Sequence, residues 1–115
     1  NFINNFKQYK QQVTAITIRN KKLLMHSSFC YYTGIQFAVE PANPNDLLKR
    51  TLDHKISCYQ GYLLNIDANV IGGLSNIVWC IRYCNSIKGN MTTEQFLPFA
   101  KIIREQLINE NYQHN

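Results

Sequence analysis

The segment from Thr92 to Asn109 constrains the fold more than any other part of the chain. Thr92 is followed three residues later by Gln95. That is the spacing of a capping box, in which each side chain satisfies the other residue's unpaired backbone N–H. Apolar residues then recur at Phe96, Phe99, Ile103 and Leu107, with Ala100 and Ile102 beside them. The spacing is that of one helix face. Lys101 and Glu105 form an i,i+4 pair on the other side. Pro98 complicates the start, because a proline ring clashes with the carbonyl four residues back, here that of Glu94. The expected helix therefore begins near Phe96 or Leu97 and runs to about Asn109, with a polar tail from Asn111 to Asn115.

The rest of the chain reads as short strands. Phe2, Ile3, Phe6 and Tyr9 have helical spacing, which predicts a short helix over about 2–10. Gln12 to Arg19 is rich in β-branched residues and lacks Gly and Pro, so it reads as a first strand. A second strand, bulged at Ser27-Ser28, is expected over Leu23–Tyr32. A third is expected over Ile35–Glu40, where apolar and other residues alternate. Asn43 caps an expected short helix whose first residue is Pro44 and which ends near Asp53-His54. Ile56 to Ile66 is a fourth strand, bent at Gly61. Asn65 to Ser75 is a loop, and Ile77 to Cys84 is a fifth strand. Three strands, a helix and two strands follow the element order of an OB barrel. An α+β sandwich with the same elements competes with it. The expected fold class is thus all-β with flanking helices: a five-stranded OB-fold barrel with a C-terminal amphipathic helix, forming one domain over residues 1–115.

Composition narrows the function. Twelve Lys+Arg against seven Asp+Glu give a net charge of +5, compatible with an acidic polymer as partner. No run of 18 apolar residues occurs, so no helical membrane span is expected. Cys30, Cys58, Cys80 and Cys84 lie among apolar neighbours and read as reduced buried thiols of a cytosolic or nuclear protein. His26 and His54 are isolated, and Cys80 and Cys84 are awkwardly spaced for a zinc knuckle, so no metal is expected. No phosphate loop, GxSxG or HExxH occurs. Cys30 follows His26 by four residues, about 13 Å along a strand. The chain is read as non-catalytic, with no cofactor.

Several segments resemble a known family. Ile3 to Ile18, Thr33-Gly34-Ile35-Gln36-Phe37-Ala38-Val39-Glu40-Pro41, Cys58-Tyr59-Gln60-Gly61-Tyr62-Leu63 and Phe99 to Arg104 are similar to parts of the smallest OB-fold subunit of replication protein A. Ile103-Arg104-Glu105-Gln106 is similar to the corresponding helix in the small, Ten-one-like subunit of the telomeric CST complex. The matches are short and cover most of the chain. The resemblance implies a nuclear accessory subunit of a single-stranded nucleic-acid-binding complex, in telomere maintenance or DNA replication. That subunit would pair with a larger OB-fold protein through Phe96, Phe99, Ile103 and Leu107. Single-stranded DNA would be met through the complex and only weakly by this chain alone. Candidate stacking residues are Tyr31, Tyr32, Tyr59 and Tyr62, and candidate phosphate ligands are Lys21, Lys22, Lys55 and Arg82. Trp79 reads as core. An adaptor that binds protein and not nucleic acid is the alternative.

Overall fold

The computed structural model describes residues 1–110, so the expected tail from Asn111 to Asn115 lies outside the described residues. The order of elements is helix α1 (Phe2–Lys21), strand β1 (Arg50–His54), helices α2 (Cys58–Leu63) and α3 (Ala68–Ile71), strand β2 (Ile77–Ile81), and helices α4 (Arg82–Lys88) and α5 (Thr93–Asn109). β1 and β2 pair antiparallel in a two-stranded sheet, with Leu52 opposite Trp79 and Asp53 opposite Val78. This overturns the all-β expectation. The chain is an α/β fold dominated by helix, not a five-stranded OB barrel.

The first expected strand is the second half of α1, which starts where a helix was foreseen but continues to Lys21 rather than ending near residue 10. The β-branched residues of 12–19 favour a strand locally. However, Tyr9, Val13, Ile16, Thr17 and Asn20 also recur at helical spacing. Tertiary contact decides between the two. Val13, with Ile16 and Tyr9, packs on Ala68 and Ile71 of α3. The Tyr9 hydroxyl donates to the Ile66 carbonyl at 2.7 Å, and the Asn20 amide donates to the Gly72 carbonyl at 3.0 Å.

The fourth expected strand is α2, followed by a turn and α3 in what read as a loop. Ser57 caps α2 by accepting the Gln60 N–H at 3.1 Å. Gly61 is there for close approach, not for a bend in a strand. A Cβ at this position would sit 2.6 Å from Ile71 Cγ1 and 2.7 Å from Tyr9 Oη. Asn76 closes the base of this excursion. It exchanges hydrogen bonds with the Ile56 N–H and carbonyl at 2.9 and 3.0 Å, and donates to the Ile71 carbonyl at 2.8 Å.

Residues 22–49 form an irregular strap, not two strands and a short helix. Only an isolated bridge joins Phe29 to Gln36. Tyr31 N–H donates to the Trp79 carbonyl at 3.0 Å, which lays the strap along the sheet. The helix expected from Pro44 does not form, and its last residues, Arg50 to His54, are β1. The expected fifth strand stops at Ile81, and α4 takes over at Arg82.

α5 begins at Thr93, three or four residues before the expected start at Phe96 or Leu97, with both hydrogen bonds of the capping box present. Pro98 stands inside it on the exposed side. The Glu94 carbonyl that loses its partner is therefore in the first turn and on the water side, where solvent can serve it. Phe96, Ala100, Ile103 and Leu107 are buried with Cys30, Ile35, Phe37, Cys80, Ile81 and Cys84 in the larger core.

Candidate nucleic-acid interface

Three features of the surface mark the strap, the sheet beside it and the helix that leads to them. The first is charge. No acidic residue precedes Glu40, whereas Lys7, Lys10, Arg19, Lys21 and Lys22 all fall within α1 and its cap. The other seven cations balance the seven acids, so residues 1–22 carry the whole net charge. None of these five side chains has a carboxylate partner among the described residues, where ion pairs occur only at Lys49–Glu40 and Lys88–Asp53. Lys7, Lys10, Thr14, Ile18 and Lys21 share the solvent side of a helix about 30 Å long. Lys21 and Lys22 stand at its C-terminus, where cations also offset the helix dipole.

The second feature is an apolar groove just beyond that terminus. Its volume is about 160 Å³, and Leu24, Met25, Phe29, Tyr31, Val78 and Trp79 line it. Pockets that enclose whole small molecules are larger, roughly 300–1,000 Å³, so this one suits a flat ring laid against a wall. Phe29 and Tyr31 are 54% and 53% exposed. Lys55 Nζ stands 5.0 Å from the centre of the Tyr31 ring.

The third feature is the support behind the groove. Arg50 lies with its guanidinium carbon 4.9 Å from the Phe37 ring centre and 5.9 Å from that of Trp79. It donates through Nη1 to His26 Nδ1 at 2.9 Å and through Nη2 to the Ser27 carbonyl at 2.8 Å. His26 in turn stacks on Trp79 at 5.9 Å. Arg50 thus pins the strap to the sheet, and an Nδ1 that accepts from a guanidinium must be unprotonated. Trp79, read as core, is half-buried, one wall of the groove and one face of this stack.

Beneath the sheet lies a buried polar cluster that the sequence did not reveal. Lys88 is 1% exposed, and its ammonium sits 3.1 Å from Asp53 Oδ2. It also donates to the His54 and Lys55 carbonyls at 2.9 and 3.3 Å. Tyr32 donates its hydroxyl to the same Asp53 oxygen. Burial and the Asp53 carboxylate hold the Tyr32 phenol well above its usual range. All donors of Lys88 are thus engaged, which makes it a structural cation, not a free acid or base. Nearby, Thr17 gives its one hydroxyl proton to the Val13 carbonyl at 2.7 Å, so His54 donates its Nε2–H to Thr17 Oγ1 at 2.9 Å. Burial keeps the His54 imidazole below its ordinary pKa.

The nominated residues are therefore dispersed. Tyr31, Lys55, Lys21 and Lys22 belong to the groove and its approach. Tyr32 faces inward to Asp53, edge-on to Phe96 at 5.1 Å between ring centres. Tyr59 and Tyr62 pack in an aromatic cluster with Phe2, Phe6 and Tyr9 at the other end of α1. Arg82 lies apart with Pro44, Lys49 and Asn85. Of the nominated partner-binding residues, Phe96, Ile103 and Leu107 are buried in the chain's own core, and only Phe99 is open, at 45%. Phe29 was missed because Ser27-Ser28-Phe29 carries no pattern beyond a broken strand. No known protein family, curated protein or solved structure matches this chain. Among the described residues, no helix is long and apolar enough to cross a membrane and no group of three metal-ligating side chains occurs.

Proposed function

We propose that this chain is a non-catalytic binding module for single-stranded nucleic acid. One unstacked base would lie against Phe29, Tyr31 and Trp79, and its phosphates would meet Lys21, Lys22 and Lys55. The observation that carries this reading is the exposed Tyr31 ring with a lysine over its face, at the mouth of an apolar groove beside the end of an acid-free helix. Magnitudes favour the exchange. Lys55 gives up an exposed cation–π contact of about 0.5–1 kcal/mol and gains a phosphate, while the stacked base contributes about 1–3 kcal/mol.

Titration of a labelled oligo-dT strand by fluorescence anisotropy tests it. Three phosphate contacts predict a slope of log K against log salt of about −2. Tyr31→Ala should weaken binding roughly 5- to 150-fold, and Trp79, the sole tryptophan, should report binding by quenching. Absence of binding at low salt, or equal binding by Tyr31→Ala and by Lys21→Gln/Lys22→Gln, would refute the reading. The larger OB-fold partner, the nuclear setting and a role in telomere maintenance or replication stand on the sequence resemblance alone, and an α/β fold adds nothing to them.

A second reading, a protein-interaction adaptor, is favoured by the solvent side of α5. Phe99 and Ile102 are 45% and 61% exposed there, one turn apart. Phe99→Glu should abolish co-purification of a partner in that case and leave oligo-dT binding intact.

A further inference from the structure

Three of the four cysteines, Cys30, Cys80 and Cys84, meet in the larger core. The Cys30 and Cys84 sulfurs lie 4.0 Å apart, although 54 residues separate them in sequence. Cys30 sits in the strap between Phe29 and Tyr31, and Cys84 lies in α4. Cys80 is differently placed, with its sulfur 3.6 Å from the Thr51 hydroxyl. Cys58 stands in the other apolar cluster, beside α1 and α3.

We propose that Cys30 and Cys84 are a modification site: a dithiol that hydrogen peroxide converts to an intramolecular disulfide, tying the groove-bearing strap to α4. Closing the sulfurs from 4.0 Å to the roughly 2.05 Å of an S–S bond needs a movement of about 2 Å, within reach of side-chain rotation and a small shift of the irregular strap.

The order of events follows from the surroundings of each sulfur. The Cys30 and Cys84 sulfurs share one weak S–H···S contact, and its effect on Cys30 is to lower the pKa against the opposing effect of burial. The Cys84 thiol is raised by the same contact and by burial. Burial pushes Cys80 up to about 12. Cys30 is therefore the first nucleophile. Its sulfur loses a proton and attacks one peroxide oxygen. The O–O bond breaks, Cys30 becomes a sulfenic acid, and the departing hydroxide takes that proton to form water. Cys84 sulfur then loses its proton and attacks Cys30 Sγ. The S–S bond forms, the S–O bond breaks, and a second water leaves. Two thiols lose two electrons in all, and one peroxide is reduced to two waters. At 3% and 0% exposure the pair is reached by a small oxidant when the strap opens locally, so the reaction is slow in the folded protein.

Phe29 and Tyr31 flank Cys30, so the cross-link shifts the rim of the groove. The link itself does not depend on the nucleic-acid reading, whereas any effect on oligo-dT affinity does. The test is peptide mass mapping of the full chain after peroxide treatment, without reduction. A Cys30–Cys84 linked peptide, two hydrogens lighter than its parts, is the expected product, together with a shift in Trp79 emission. In Cys84→Ser the expected product is a dimedone adduct on Cys30, the trapped sulfenic acid. A Cys30–Cys80 link, a Cys58-linked dimer as the main product, or four free thiols would overturn the proposal. The wild-type map decides this even where the variant does not fold. A mapped Cys30–Cys84 link without oligo-dT binding in either state would sink the nucleic-acid reading and leave the modification site standing.

Discussion

The N-terminal helices and the sheet with its C-terminal helices are built on different terms. Around β1, β2, α4 and α5, ten buried residues form the larger core, with an ion pair sealed beneath it. Around α1, α2 and α3 the fully buried apolar cluster is only Val13, Ala68 and Ile71. Directed hydrogen bonds from Tyr9 and Asn20 and a set of tilted aromatic rings make up part of the difference. The weaker region also holds most of the net charge, because residues 1–22 carry five cations and no acid. Stability and charge are thus separated: one part is closed and close to balanced in charge, the other is lightly held and basic. A helix with Lys7, Lys10 and Lys21 on one side can bury only its other side, so its charge and its small core have one cause.

The largest effect should come from the closed region. Lys88→Met leaves Asp53 buried without its cation, and urea denaturation should show a loss of about 3–5 kcal/mol. An unchanged midpoint would mean that Asp53 is not sealed from water. Gly61→Ala strikes the other region. The added Cβ meets Ile71 and Tyr9 at under 3.0 Å, so a loss of about 1–3 kcal/mol is expected. Hydrogen exchange should then quicken in α1 and stay unchanged in α5; equal acceleration of both would erase the distinction between the regions. Thr92→Ala removes one side of the capping box and should cost about 1 kcal/mol. Tyr9→Phe, which loses the bond to the Ile66 carbonyl, should cost a similar or smaller amount, about 0.5–1.5 kcal/mol.

The mildest test is pH. His54 joins the two regions through Thr17, and burial holds its pKa below 6.5. The unfolded chain therefore takes up a proton first. This contribution to stability is complete above pH 6.5 and is lost as pH falls through the folded value. Urea midpoints measured downward from pH 7.5 should decline, and His54→Gln should flatten that decline.

Part of this was legible in advance. The apolar stripe and the box at Thr92 and Gln95 announced α5, and its end at Asn109 agrees with the structure. What misled was local propensity. Val13 to Ile18 and Ile56 to Ile66 carry the residues of strands, yet both fold as helix wholly or in part, and as helices they bring Val13, Ile16 and Gly61 against Ile71. At the groove, Tyr31 and Lys55 could be singled out by residue type. Nothing in the local pattern said that Phe29 would join them or that Tyr32 would turn inward to Asp53.

By itself the sequence determined the C-terminal helix, the excess of positive charge and its crowding ahead of the first acid, since these depend on nearest neighbours and simple counting. Tertiary structure decided which helix sides are closed and which cations are free. Phe96, Ile103 and Leu107, suited to a partner by pattern, are buried by the chain's own Cys80, Ile81 and Cys84. Lys88, an ordinary surface residue by type, is the most deeply buried cation, because only the folded chain brings Asp53 and two backbone carbonyls to its ammonium. Burial depends on contacts between residues distant in the chain, and no local pattern encodes which of them will meet.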